Sequence, residues 1–121
     1  MTYEYIDADR ITRLARDLLG DTRSCLRFID DFVGSSGERI ARVRRSVDQA
    51  GIDDALASLL SLATSSVMIG AVSLANAARD LHTEAMRSGS IPAQGAEHLE
   101  RINSASSAEL VHLTAPWRVA A

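Results

Sequence analysis

The sequence predicts an all-α fold: an antiparallel up-down four-helix bundle with an additional short N-terminal helix. Three observations lead there. Apolar residues recur at helical spacing along almost the whole chain. Gly20, Gly51, Gly70 and Gly89 each close one such stretch and precede the next, at the place where a left-handed residue past a helix end is wanted. One Trp, two Tyr and two Phe supply too few aromatics for a β-sandwich core, and no alternating strand pattern competes. A chain of 121 residues is sized for one domain.

The first helix is predicted over residues 7–19, with Ile11, Leu14, Ala15 and Leu18 on one face. Asp21 can cap the second, over residues 21–50. There Leu26, Val33, Ile40 and Val47 recur every seven residues, and Ile29, Ser36, Val43 and Ala50 fill a second seam. Gly34-Ser35-Ser36-Gly37 weakens that helix by about 2 kcal/mol relative to alanines, yet the register survives across it, which favours one continuous helix over a break. The third helix, over residues 52–69, carries Ile52, Ala55, Leu59, Leu62, Ser66 and Ile69 as its core face, with Leu56, Leu60, Ala63 and Val67 as a second apolar stripe. The fourth, over residues 71–88, has a small-residue seam of Ala71, Leu74, Ala78, Leu81 and Ala85 that permits close packing. Pro92 fits the first turn of the fifth, whose stripe is Leu99, Ile102, Ser106, Leu110 and Leu113. Pro116 is expected to stop it, with Trp117 folding back over the bundle end. Residues 1–20 thus read as an N-terminal helix or lid, 21–115 as the bundle and 116–121 as a tail.

Composition narrows the function. Two prolines, seven glycines and 46% hydrophobic residues describe a folded chain. A net charge of −3 argues against a duplex-binding protein, so no nucleic-acid partner is expected. No segment reaches the ~20 apolar residues that span a bilayer, and the polar, acidic residues 1–9 do not read as a secretion signal. One cysteine, Cys25, can form neither an internal disulfide nor a zinc cluster, which suits a reducing compartment; a cytoplasmic, membrane-free setting is expected. All thirteen basic residues are arginine, closing off Schiff-base chemistry and a lysine-bearing phosphate loop.

The chemistry-bearing residues are scattered. His82, His98 and His112 belong to no metal-binding motif, so no metal or other cofactor is expected. Glu97, His98 and Glu100 read as a solvated helix face, Asp30-Asp31 and Asp53-Asp54 as surface and helix-front carboxylates, and Cys25 as an inert thiol. Arg39, Arg42, Arg44 and Arg45 concentrate positive charge late in the second helix. Arg42 and Arg45 share a face while Arg44 points elsewhere. With Arg39 they form a basic patch that is either a solvated surface or a docking site for an acidic protein.

The stretch from Leu59 to Ala71, LLSLATSSVMIGA, resembles the signature of histidine phosphotransfer (HPt) domains, approximately A-H-x-L-K-G-x-[SA]-x-x-x-G-A. Leu62 matches its leucine, Ser65-Ser66 its small pair and Gly70-Ala71 its terminal Gly-Ala. Leu74, Leu81 and Arg87-Ser88-Gly89 follow at the family's spacing, and Cys25–Val33 resembles its F-L-x-x-F segment. The likeness covers residues 10–113. It departs where the chemistry resides: Leu60 stands at the phosphoacceptor histidine, Ala63 at the assisting lysine and Thr64 at the glycine that admits a partner. The resemblance therefore implies a pseudo-phosphotransfer domain that binds without catalysing.

Three functions follow as expectations. The first is an HPt-like signalling module that docks to a response-regulator receiver or a histidine kinase domain, or self-associates. The second is an active phosphotransfer protein with a relocated acceptor. His82, twelve residues after Gly70 where Leu60 is ten before it, sits within ~3 Å of the same level along the helix axis. The third is a structural dimerisation domain. For the first, the family's acceptor lies one residue past a core position, so Leu60 is expected at the surface. Leu56, Ala63, Thr64 and Val67 would extend an interaction face around it.

Overall fold

The computed structural model describes residues 2–120, without the side chain of Ala120. Among the described residues five helices form: α1 (Ala8–Asp17), α2 (Thr22–Arg45), α3 (Asp53–Ile69), α4 (Val72–Ser88) and α5 (Ala93–Ala120). No strand forms among the described residues; a single parallel bridge joins Val47 to Ile91, linking the α2–α3 and α4–α5 connections.

Helix starts follow the capping residues. The Asp7 carboxylate accepts the N–H groups of Asp9 and Arg10, and the Asp21 carboxylate accepts that of Ser24. The Ser24 hydroxyl, and after it the Ser24 N–H, hold the Asp21 carboxyl below the usual carboxylate range. α2 passes unbroken through Gly34-Ser35-Ser36-Gly37, as the surviving heptad register predicts. Buried Ser36 helps to hold it there, its hydroxyl 3.0 Å from both the Val33 carbonyl and the Asn103 side chain on α5.

Helix ends agree with the glycines at three of four places. Gly20, Gly70 and Gly89 are left-handed (φ 76°, 84° and 78°). α2, however, ends at Arg45 rather than at residue 50, and it is Asp48 (φ 63°), not Gly51, that turns the chain. Aspartate tolerates that region because its short side chain bonds locally. The early end places Val47 in the loop and leaves Ala50 exposed, so the last turn of the predicted heptad does not form.

The predicted stop at Pro116 is not observed. α5 continues through it to Ala120 although proline has no N–H to donate to the carbonyl four residues earlier. Contacts beyond the proline hold the final turn: Trp117 packs against the core, and Arg118 grips Asp30 of α2 through two bonds of 2.7 and 3.2 Å. Trp117 thus reaches the core from within the helix, not as a returning tail. Pro92, predicted inside the first turn, lies just before the helix, and its carbonyl accepts the Ala96 N–H.

α2 and α4 each pack against both α3 and α5, while α1 touches α2 and α3. α2 and α5 run antiparallel, since Asp30, Ser36 and Arg44 of α2 meet Arg118, Asn103 and Glu100 of α5 in reverse order. The continuous core includes Ile11, Ile29, Val43, Leu59, Leu62, Ile69, Leu74, Leu99 and Leu110, all essentially without exposure. The small-residue seam of α4 is wholly inside: Ala71, Leu74, Ala78, Leu81 and Ala85 are buried. Among the described residues no helix is long and apolar enough to cross a membrane.

Candidate functional site

The outer surface of α3 and the facing side of α2 make the site to which the sequence points. Leu60 is 53% exposed, whereas its neighbours Leu59 and Leu62 have no exposure. The expected surface position of Leu60 is therefore observed. The rest of the predicted face is rearranged. Ala63 is buried at 4% and belongs to the core, and Leu56 and Val67 are only partly exposed, Leu56 being packed on the core. The reason is angular: at about 100° per residue, Ala63 stands some 40° from Leu59, and a methyl group that close to a core row is covered by it. The open stripe of α3 runs one residue to the side, through Ala57, Leu60, Ser61, Thr64 and Met68, with Met68 at 55% exposure. The Thr64 hydroxyl donates to the Leu60 carbonyl at 3.0 Å, satisfied within its own helix.

Across from this stripe, α2 contributes a long groove with Arg39 at its middle. One end is lined by Arg42, Asp54, Ala57 and Ser58, the centre by Leu60, Ser61 and Thr64, and the far end by Phe28, Asp31, Phe32 and Met68. Arg39 lines all three parts. Its Nη1 donates to the hydroxyls of Ser35 and Ser65, both at 3.3 Å, which sets the guanidinium against α3. Of the basic patch, Arg39 and Arg42 line the groove and exposed Arg45 does not. Arg44 turns to the opposite side, as expected, and pairs with Glu100 of α5. Among the described residues no carboxylate lies within 4 Å of the Arg39, Arg42 or Arg45 guanidinium, so their charge is available. Phe28 and Met68, absent from the predicted face, are exposed apolar side chains at its far end. Met68 stands about 80° round the helix from Leu60 but only about 40° from Thr64, so continuing the row from Thr64 reaches it; Phe28 needs the α2–α3 pairing.

The remaining candidates do not converge. His82 is half-buried on α4 and His98 is exposed on α5. His112, also on α5, has its Nδ1 2.8 Å from the Tyr3 hydroxyl, the two rings meeting edge to face. Cys25 is fully buried and burial pushes its thiol pKa up, which keeps it protonated and unreactive. Among the described residues no three His, Cys, Asp or Glu side chains gather closely enough to hold a metal ion. The α2–α3 face sets exposed apolar side chains beside Arg39 and Arg42, for which no carboxylate partner lies within 4 Å among the described residues.

Comparison with family models, with curated proteins and with solved structures returns no match.

Proposed function

We propose that this chain is an HPt-like docking module of a two-component phosphorelay, a pseudo-phosphotransfer domain that binds a receiver or histidine kinase domain, or a second copy, through the outer face of α3. In this reading α2 to α5 form an up-down four-helix bundle with α1 as its lid. The packing of α2 and α4 each against both α3 and α5 supports that arrangement. A cytoplasmic setting belongs to the same proposal.

One observation carries it. At the place where the resembling family presents an imidazole, this chain presents a leucine to solvent between two leucines that are wholly inside. Leucine has no lone pair to accept a phosphoryl group, so the face can bind and cannot relay through that position. Burial of Leu60, Met68 and Phe28 against a partner would contribute on the order of 1.5–3 kcal/mol each before association costs. Arg39 and Arg42 would orient an acidic partner more than tighten it.

The reading is tested by titrating labelled protein with receiver and kinase domains and repeating the titration with Leu60→Asp. Binding to one of them, lost in a variant that keeps its helical spectrum, is the expected result. Binding to none, or binding that Leu60→Asp leaves intact, removes the proposed face. Stoichiometric acid-labile phosphorylation abolished by His82→Ala would replace it with active phosphotransfer.

A further inference from the structure

Residues 3–17 form an arm that reaches back across the molecule. The Glu109 carboxylate of α5 accepts three consecutive backbone N–H groups, from Glu4 (3.1 Å), Tyr5 (2.9 Å) and Ile6 (3.3 Å). The Asp7 N–H donates to the Gly70 carbonyl at 2.8 Å, and the Ser73 N–H donates to the Tyr5 carbonyl at 3.2 Å. Tyr3 meets His112 one turn beyond Glu109. Ile6, Ile11 and Ala15 fill the core beneath. Gly70 is approached so closely that a Cβ there would lie 3.1 Å from both the Arg10 Cβ and the Asp7 carbonyl oxygen. The arm is held specifically, at many points, by α3, α4 and α5, and α1 packs on α2 as well.

The corner that joins the arm to α2 has the opposite character. Leu19 adopts φ 57°, a left-handed backbone that a branched aliphatic residue resists, and its side chain is 97% exposed. The corner contributes three backbone bonds: Leu19 to Arg16 (2.9 Å), Gly20 to Ala15 (3.0 Å) and Asp21 to Leu18 (3.0 Å). Strain and an exposed leucine fall on one residue, and both oppose the closed turn.

We propose that the chain exchanges this arm with a second copy of itself, so that the arm of each protomer docks on α2, α3, α4 and α5 of the other. Every arm contact named above re-forms between the copies, and what is given up is confined to the corner. Opening the corner returns Leu19 to ordinary backbone. In a two-fold dimer the two opened corners lie near the axis, where the Leu19 side chains gain apolar cover. The occupant is a second copy because docking requires both the run of N–H groups that Glu109 accepts and the tyrosine that meets His112. No arm contact named above uses Leu60, Thr64 or Met68 of the α3 outer face, so this inference stands apart from the docking reading.

The test is refolding at high and low protein concentration, followed by chromatography with light scattering. The full chain gives a dimer after concentrated refolding that separates slowly on dilution. Leu19→Gly removes strain from both corners of the closed form and lowers the dimer-to-monomer ratio at least about tenfold. A 1:1 mixture of Tyr5→Cys and Ser73→Cys chains, co-refolded and oxidised, yields a covalent heterodimer. The double variant in one chain, refolded dilute, closes internally and shows that the two positions are within reach. A chain that stays monomeric at every concentration overturns the proposal. So does a dimer that ignores Leu19→Gly, or one lacking the Tyr5→Cys to Ser73→Cys link. A dimer that is dispersed by Leu60→Asp but not by Leu19→Gly assigns association to the α3 face and overturns it as well.

Discussion

The two long faces of α3 are built from the same residue types and live in opposite environments. Inward, Leu59, Leu62, Ser66 and Ile69 have no exposure; outward, Leu60, Thr64 and Met68 stand in solvent beside the arginines of α2. Leucines 59, 60 and 62 differ in angle and not in chemistry. On the inner face leucine does packing work that any bundle needs. On the outer face Leu60 is left about half in water, and a contact role for it belongs to the proposed docking.

The largest expected effect breaks the inner face. Leu62→Ala should cost about 2–5 kcal/mol in denaturant unfolding, because a fully buried side chain leaves a cavity among close-packed neighbours. Gly70→Ala comes next. It forces a side chain into φ 84° and against Arg10 and Asp7, for a loss of about 1–2 kcal/mol. Hydrogen exchange should show the Asp7 and Ser73 amides losing protection before the rest of the chain, since the arm lifts off this turn first.

A smaller effect is tied to pH. The Arg118 guanidinium beside Asp30 holds its carboxyl below the usual carboxylate range, and bonds from Ser24 do the same for Asp21. Both folded-state pKa values are depressed. Their stabilisation is therefore present above the ordinary aspartate pKa of the unfolded chain and is lost as pH falls through the lowered folded values. Asp30→Asn should cost no more than about 1 kcal/mol at neutral pH, the pair being largely in solvent. That difference should vanish in unfolding curves taken below the folded pKa. The smallest change in stability belongs to the outer face: Leu60→Asp should shift unfolding by no more than about 0.5 kcal/mol while abolishing association measured by titration. A large loss of stability in that variant would place Leu60 among the inner leucines and erase the contrast.

Much of this contrast is legible in the sequence. The spacing of Leu59, Leu62, Ser66 and Ile69 identifies the inner row, and one-residue offset from it puts Leu60 outside. Ala63 shows where a stripe argument falls short. It shares a stripe with Leu60 and an adjoining row with Leu59, and a side chain as short as alanine's follows whichever neighbour is packed more closely. Phe28 and Arg39 enter the site because α2 lies against α3, a pairing that no spacing within either helix records.

Local chemistry alone determined the helices, the caps at Asp7 and Asp21, and the left-handed ends at Gly20, Gly70 and Gly89, because each depends on a few residues in one turn. Tertiary structure decided the points where a distant contact outweighs a local preference. α5 passes Pro116 because Trp117 and Arg118 are held by the core and by Asp30. The arm lies across the turn at Gly70 because Glu109, more than a hundred residues away, accepts its N–H groups. A proline or a strained leucine disfavours one turn by an amount that a few such contacts can match. Which contacts are available is a property of the packed chain, not of the segment that bends to meet them.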